Sequence, residues 1–180
     1  MILGRRLHRA IMTNPIGMVC TRAPPQSRAV RVSSKADYAV RAALELAAAA
    51  GQPLTAETIS QRQGIPTPFL KKILADLQRG NVVVSQRGRE GGHRLARNAD
   101  AITIADVLRA VEGPLANVRG VPPEETAYEG SASKLQDVWI ALRTNVREVL
   151  EQVTLADLVE DRLPEPIAAL ASRPDSWVTR

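Results

Sequence analysis

The 180-residue sequence holds a single cysteine, Cys20. That excludes an intrachain disulfide and any metal centre built from clustered thiolates. Histidine is nearly as scarce: His8 and His93 are the only two, and neither stands in a metal-ligand or nucleophile pattern. Aromatic side chains make up 3% of the chain, which leaves the core to Leu, Val, Ile and Ala and favours helices. No apolar run approaches the roughly 18 residues that a membrane-crossing helix needs. A Ser/His/Asp set, a phosphate loop and a conspicuous carboxylate pair are all missing, so the chain is not expected to be an enzyme. Charged residues at 24% beside hydrophobic ones at 44% describe a soluble globular chain. The length suits one domain with an appendage. The lone cysteine fits a reducing compartment, and the cytoplasm is the expected location.

Acidic residues are missing from one place in particular. Residues 1–30 carry five Arg and no acid, and residues 31–97 carry eleven Lys or Arg against five acids. Residues 98–180 reverse the balance, with eight bases against fourteen acids. The net charge of +5 therefore hides a basic front and an acidic back. Such a division favours an anionic partner for the front half.

Residues 1–29 are Arg-bearing and break into the linker-like APPQS. They are expected to form a disordered basic extension, with an organelle transit peptide or sequence upstream of the true start as alternatives. Regular patterning begins at Val32. Ser34-Lys35-Ala36-Asp37 reads as a capping box, and Tyr38, Ala42, Ala43, Leu46, Ala47 and Ala50 recur at helical spacing. The spacing predicts a helix over about 34–50, ended by Gly51-Gln52-Pro53. Thr55 opens a second short helix with Ile59 on its inner face, and Gln63-Gly64-Ile65 forms a tight turn. Pro66 suits the first turn of a third helix. That helix carries the stripe Phe69, Leu70, Ile73, Leu74 and Leu77 as far as Gly80, a fitting C′ residue.

Two short helices joined by a glycine-bearing turn match helix-turn-helix spacing. Val82-Val83-Val84-Ser85, a glycine turn and His93-Arg94-Leu95-Ala96-Arg97 then predict a β-hairpin. Three helices followed by a hairpin is the winged-helix order. Positive charge collects where that fold meets DNA: Lys71, Lys72 and Arg79 on the third helix, Arg87, Arg89, Arg94 and Arg97 in the hairpin. Only Asp76 and Glu90 oppose them. An Arg- and Gly-rich wing tip suits a minor groove, its glycines letting the backbone come close, with the third helix in the adjacent major groove.

Thr103-Ile104-Ala105-Asp106 is another capping box, starting a helix through Val107, Leu108 and Val111 that stops at Glu112-Gly113-Pro114. Residues 114–132 are a polar loop without periodicity. Leu135, Val138, Trp139, Leu142, Val146, Val149, Leu150 and Val153 then form a stripe too broad for one small domain to cover, so a second copy is expected to cover it. Thr154 opens a short final helix, and the tail from Pro164 is expected to be loose. The expected fold is mainly α: a winged helix-turn-helix with a small β-hairpin wing and a long C-terminal dimerisation helix. Its parts are an extension at 1–29, the DNA-binding domain at 30–98, dimerisation helices at 99–162 and a flexible tail at 163–180.

Several stretches together resemble the Rrf-two family of bacterial regulators, with its IscR, NsrR and CymR types. They are Val30-Arg31-Val32-Ser33, Asp37-Tyr38-Ala39-Val40-Arg41-Ala42, Ile65-Pro66 to Phe69-Leu70, Gly88-Arg89-Glu90-Gly91-Gly92, Ala105-Asp106-Val107 and Thr154-Leu155-Ala156-Asp157-Leu158. The resemblance implies a dimeric transcription factor, often a repressor, joined through the long helix and acting on a pseudo-palindromic operator. It places Thr67, Pro68, Lys71 and Lys72 at DNA-contacting positions, with Thr67 and Lys72 the polar candidates. Arg79, Arg87, Arg89 and Arg94 complete the expected DNA face, with Arg87 and Arg89 for the minor groove. It places Val30 where the family's initiator methionine stands. Cluster-binding members carry three cysteines in the loop before the long helix, and Asn117–Lys134 has none, so no cofactor and no metal are expected. The implied partners are double-stranded DNA, a second copy and a small-molecule or protein effector; CymR-type relatives act through a partner enzyme of cysteine synthesis. The alternative is a winged-helix adaptor that has lost DNA binding, against which the seven basic residues of 71–97 speak.

Overall fold

Alanine dominates the first helix, and small side chains let neighbouring elements close in on it. In the computed structural model, which describes residues 32–88 and 91–178, α1 spans Ser34–Ala48 and buries Ala36, Ala39, Ala42, Ala43 and Leu46. Its N-cap is Ser33, one residue earlier than the expected Ser34: the Ser33 hydroxyl accepts from the Ala36 amide at 3.0 Å. Position three is then Ala36, so the reciprocal carboxylate of a capping box is missing, and Asp37 instead pairs with Arg41 one turn on. The expected extension at 1–29 and the wing residue Arg89 lie outside the described residues.

Helix α2 (Ala56–Gln63) starts at the Thr55 cap and ends at Gly64, whose φ of 64° is the left-handed conformation that glycine adopts freely. Helix α3 (Thr67–Arg79) follows, turning Leu70, Ile73, Leu74 and Leu77 into the core. Its C-terminal signal is read differently by the structure than by the sequence. Gly80 has a φ of −78°, and the left-handed residue is Asn81 at 55°. Gly80 is needed for space: a Cβ there would fall inside the contact distance of Ala110 Cβ.

Strands β1 (Val83–Gln86) and β2 (Gly92–Leu95) pair antiparallel, with Val83 opposite Leu95 and Ser85 opposite His93. Leu54 adds a third edge through the amide of His93 at 2.8 Å and its carbonyl at 2.9 Å. Helix α4 (Ile104–Glu112) begins at the Thr103/Asp106 capping box, present in both directions as expected. It packs on α1 and α3, so Val107, Leu108 and Val111 belong to the same core as the helix-turn-helix.

The long helix α5 (Leu135–Gln152) ends where Val153 turns inward, and α6 (Leu155–Val159) starts at a second capping box, Thr154/Asp157. Backbone bonds from Ile104 to Val153 and from Leu155 to Ile102, both 2.9 Å, stitch this junction to the start of α4. The segment from 163 onward departs from the expected flexible tail. It carries α7 (Glu165–Ala171), whose Ile167 packs against the core, and a 3-10 turn at Pro174–Trp177. Pro164 and Pro166, which look like helix breakers, sit at the N-cap and within the first turn, where a missing amide costs nothing.

One ion cluster ties α1 to α3. Asp76, only 14% exposed, meets Lys35 Nζ at 2.6 Å and also pairs with Arg79. The hydrogen bond from Lys35 holds its carboxyl below the ordinary aspartate value of 3.8, against the opposing effect of burial. A depressed folded pKa stabilises the fold above the ordinary value and stops doing so as pH falls through the folded one. Asp76→Asn should therefore cost about 1 kcal/mol near neutrality, and its deficit relative to wild type should shrink in acid below pH 4. Urea unfolding of both proteins across that range reads the difference directly.

Candidate nucleic-acid interface

The turn between α2 and α3 is locked from both sides. Ser60 Oγ donates to the Ile65 carbonyl at 2.6 Å, so its contact with Thr67 Oγ1 at 2.8 Å has the Thr67 hydroxyl as donor. Beneath it, Arg41 Nε donates to Gln63 Oε1 at 2.9 Å, and Gln63 Nε2 donates to Glu45 Oε1 at 2.6 Å. Arg62 meets the other oxygen of Glu45 at 3.2 Å, and the Arg41 guanidinium lies 5.5 Å over the Tyr38 ring. Tyr38 in turn stands edge-on to Phe69, centroids 5.8 Å apart. The set Arg41, Glu45 and Gln63 was missed in the sequence. Its signal was two opposite charges four residues apart on a helix whose other long face is alanine.

This scaffold aims the outer face of α3. Pro68, Lys71, Lys72 and Arg79 are exposed there, and Thr67 is half-buried, its hydroxyl proton already engaged. The cations differ in freedom. Lys71 Nζ pairs with Glu57 at 2.9 Å, and that hydrogen bond holds the Glu57 carboxyl below its usual range. Arg79 pairs with Asp76. Among the described residues Lys72 has no partner, and neither does Arg87 at the end of β1.

The wing splits its expected residues between two faces. Alternation puts Val83, Ser85, His93 and Leu95 on the side of α3, where Gln78 reaches Ser85 at 3.4 Å. His93 Nδ1 is buried there without a hydrogen-bond partner, and burial pushes the imidazole below its usual value, countered weakly by Glu57. Arg94 points to the opposite face, away from α3, and lines a cleft behind the hairpin. The wing glycines also answer to the fold. A Cβ on Gly92 would lie 2.6 Å from the Leu54 carbonyl oxygen, and one on Gly91 would collide with the Gln86 carbonyl. Both glycines are required by close strand approach before any question of DNA arises.

Helix α5 has two unlike sides. Gln136 Nε2 donates to the carbonyls of Pro123 at 3.2 Å, Glu124 at 3.1 Å and Thr126 at 2.5 Å, and Arg143 pairs with Glu124. Leu150, on the same side, packs against the core of its own chain, although it had been expected to face a partner. Leu135, Val138, Leu142, Val146 and Val149 share the other side, and none of them is buried. Val138 is 54% and Leu142 40% exposed. Trp139 sits at the border, half-buried, with its indole N–H buried and unpartnered.

Residues 32–161 match the model of the Rrf2 family, described as iron-dependent transcriptional regulators. Among relatives, Rv1287 of Mycobacterium tuberculosis, a putative HTH-type transcriptional regulator, is 49% identical over 143 residues, 79% of this chain and 89% of that one. The HTH-type transcriptional regulator CymR of Bacillus subtilis is 33% identical over 72% of this chain and 89% of its own. The solved structure of that CymR, the global cysteine regulator, superposes with a TM-score of 0.62 at 31% identity, covering 75% of this chain and all of that one. The IscR of T. potens gives 0.59 at 30% identity over 83% of this chain and 97% of that one. The helix-turn-helix, its hairpin wing and these likenesses agree: the chain belongs to the Rrf2 family of winged-helix, DNA-binding transcriptional regulators.

Proposed function

We propose that the chain is a cytoplasmic homodimer that represses transcription by occupying a pseudo-palindromic operator, and that it does so without an iron–sulfur cluster. The observation that carries the DNA-binding geometry is the pair of unpartnered cations, Lys72 on the outer face of α3 and Arg87 on the wing. Free cations on adjacent elements can neutralise phosphates without first breaking an internal ion pair. The outward apolar side of α5 supports the dimer, and a two-fold axis through it sets half-sites about 10 base pairs apart or a multiple of that. Thr67 and Pro68 open the recognition helix, Arg79 and Lys71 add charge along it, and Arg89 is a further DNA-contact candidate from the sequence.

The residues before α5 do not fit an iron cluster. Asn117–Lys134 contains no cysteine, and carbonyls of that loop are taken by the Gln136 amide. Cluster irons are held by deprotonated thiols, and those donors are lacking here. Among the described residues no group of three His, Cys, Asp or Glu side chains could hold a metal.

Fluorescence anisotropy with a duplex from the protein's own upstream region, titrated at several salt concentrations, tests this reading. Lys72→Ala should weaken binding uniformly across sequences and reduce the salt slope by about one phosphate's share. Affinity and slope equal to wild type would remove Lys72 from the interface. Glu57→Gln should act in the other direction, since it releases Lys71 for phosphate contact: non-specific affinity rises at low salt and the gain fades at high salt.

A further inference from the structure

Arg94, turned away from α3, has no partner among the described residues, and its surroundings are a cleft of about 520 Å³. The size falls within the range of small-molecule sites. Ala47 of α1, Leu95 of β2 and Ala156 of α6, each half-buried, give it some apolar lining, and Arg94, Asp100 and Glu160 line it as well. The charges are not equally available. Glu160 pairs with Arg162 at 3.0 Å, and Arg97, which also lines the cleft, pairs with Asp106 at 3.3 Å. Arg94 and Asp100 are left, one of each sign, with no partner among the described residues. The C-terminal end of α1 reaches the same cleft, and its last turn carries no basic residue to neutralise the negative end of the helix dipole.

We propose that this cleft binds a small zwitterion of the α-amino-acid class and that its occupancy adjusts operator affinity. The carboxylate meets Arg94, the ammonium lies between Asp100 and the end of α1, and a short aliphatic side chain lies against Ala47, Leu95 and Ala156. The walls explain the coupling. One is the base of the wing, from Arg94 to Asp100; the other is α6, continuous with α5 through Val153 and Thr154. A ligand held by both braces the wing against the end of the helix that presents the outward apolar side. It can therefore favour one spacing of the two wings over another, as a differential affinity for two states requires. The coupling rests on the regulator reading above; the binding does not.

Isothermal titration of the full chain with L-leucine tests the binding, with N-acetyl-L-leucine and 3-methylbutylamine as probes that each lack one charge. Saturable heat from L-leucine alone is expected, and Asp100→Asn should weaken it by about tenfold while leaving operator affinity without leucine unchanged. Saturating L-leucine should shift the wild-type operator affinity by about fivefold or more. Absence of saturable heat at about millimolar leucine, or equal heat from either analogue, overturns the site. Heat without any shift in operator affinity overturns its regulatory role. Failure of the leucine-free protein to bind operator would instead count against the regulator reading, whatever the heats show.

Discussion

The double variant Val138→Glu, Leu142→Glu should be a folded monomer that has lost about a hundredfold or more of its operator affinity. Both side chains lie on the side of α5 that the chain's own core leaves bare, at 54% and 40% exposure. Within one chain the substitutions bury nothing and remove no core contact, so stability of the isolated fold should change little. Across a two-fold interface each carboxylate would be desolvated without a partner, and the two α5 helices would each contribute a pair. Operator affinity falls because a dimer binds its second half-site as an intramolecular event, and a monomer forfeits that effective concentration. The counterpart Arg143→Ala tests the other side of the same helix: it should release Glu124 and the preceding loop while the dimer persists. Sedimentation velocity on both variants separates the two faces.

Gly92→Ala should destabilise the fold by about 2–4 kcal/mol. The added carbon would stand 2.6 Å from the Leu54 carbonyl oxygen and 2.8 Å from its carbon, backbone atoms that cannot rotate away. Relief requires breaking the Leu54–His93 pairing, both of whose hydrogen bonds hold the wing to the segment before α2. The wing would then lose its fixed angle to α3, so operator binding should fall even where the helical core survives. Gly64→Asn is the contrast. No atom lies within 4 Å of a Cβ there, and asparagine tolerates a φ of 64°, so the cost should stay within about 1 kcal/mol. Thermal melts of the two proteins, with anisotropy on the operator duplex, give both readouts.

Local signals were the legible ones. Thr103/Asp106 and Thr154/Asp157 are reciprocal contacts within four residues; the first capping box and the helix start at Thr154 appear as the sequence implied, and the second box came with the structure. The order of three helices and a hairpin was legible for the same reason: each element's apolar period lies within its own span. Adjacent serines misled by one position, because Ser33 and Ser34 have the same chemistry and only the backbone turn chooses between them. Gly80 was read as a helix terminator and the wing glycines as room for close approach to DNA, whereas the space at Gly80 and Gly92 is taken by Ala110 and Leu54, residues distant in sequence. The same blindness affected Leu150 and Arg94. Periodicity puts Leu150 in a stripe without saying that its own core claims it, and charge alone puts Arg94 on the wing without saying which face. The helix at Glu165–Ala171 was lost because proline was weighed as a breaker where its position in the first turn is permissive.

Sedimentation equilibrium of the full chain with a fluorescein-labelled duplex from its upstream region tests the central claim most directly. A two-fold regulator built on α5 predicts a free protein of twice the chain mass and a complex of two chains per duplex that dissolves as salt is raised. A protein that stayed at one chain, with the duplex sedimenting alone at low salt, would contradict the account.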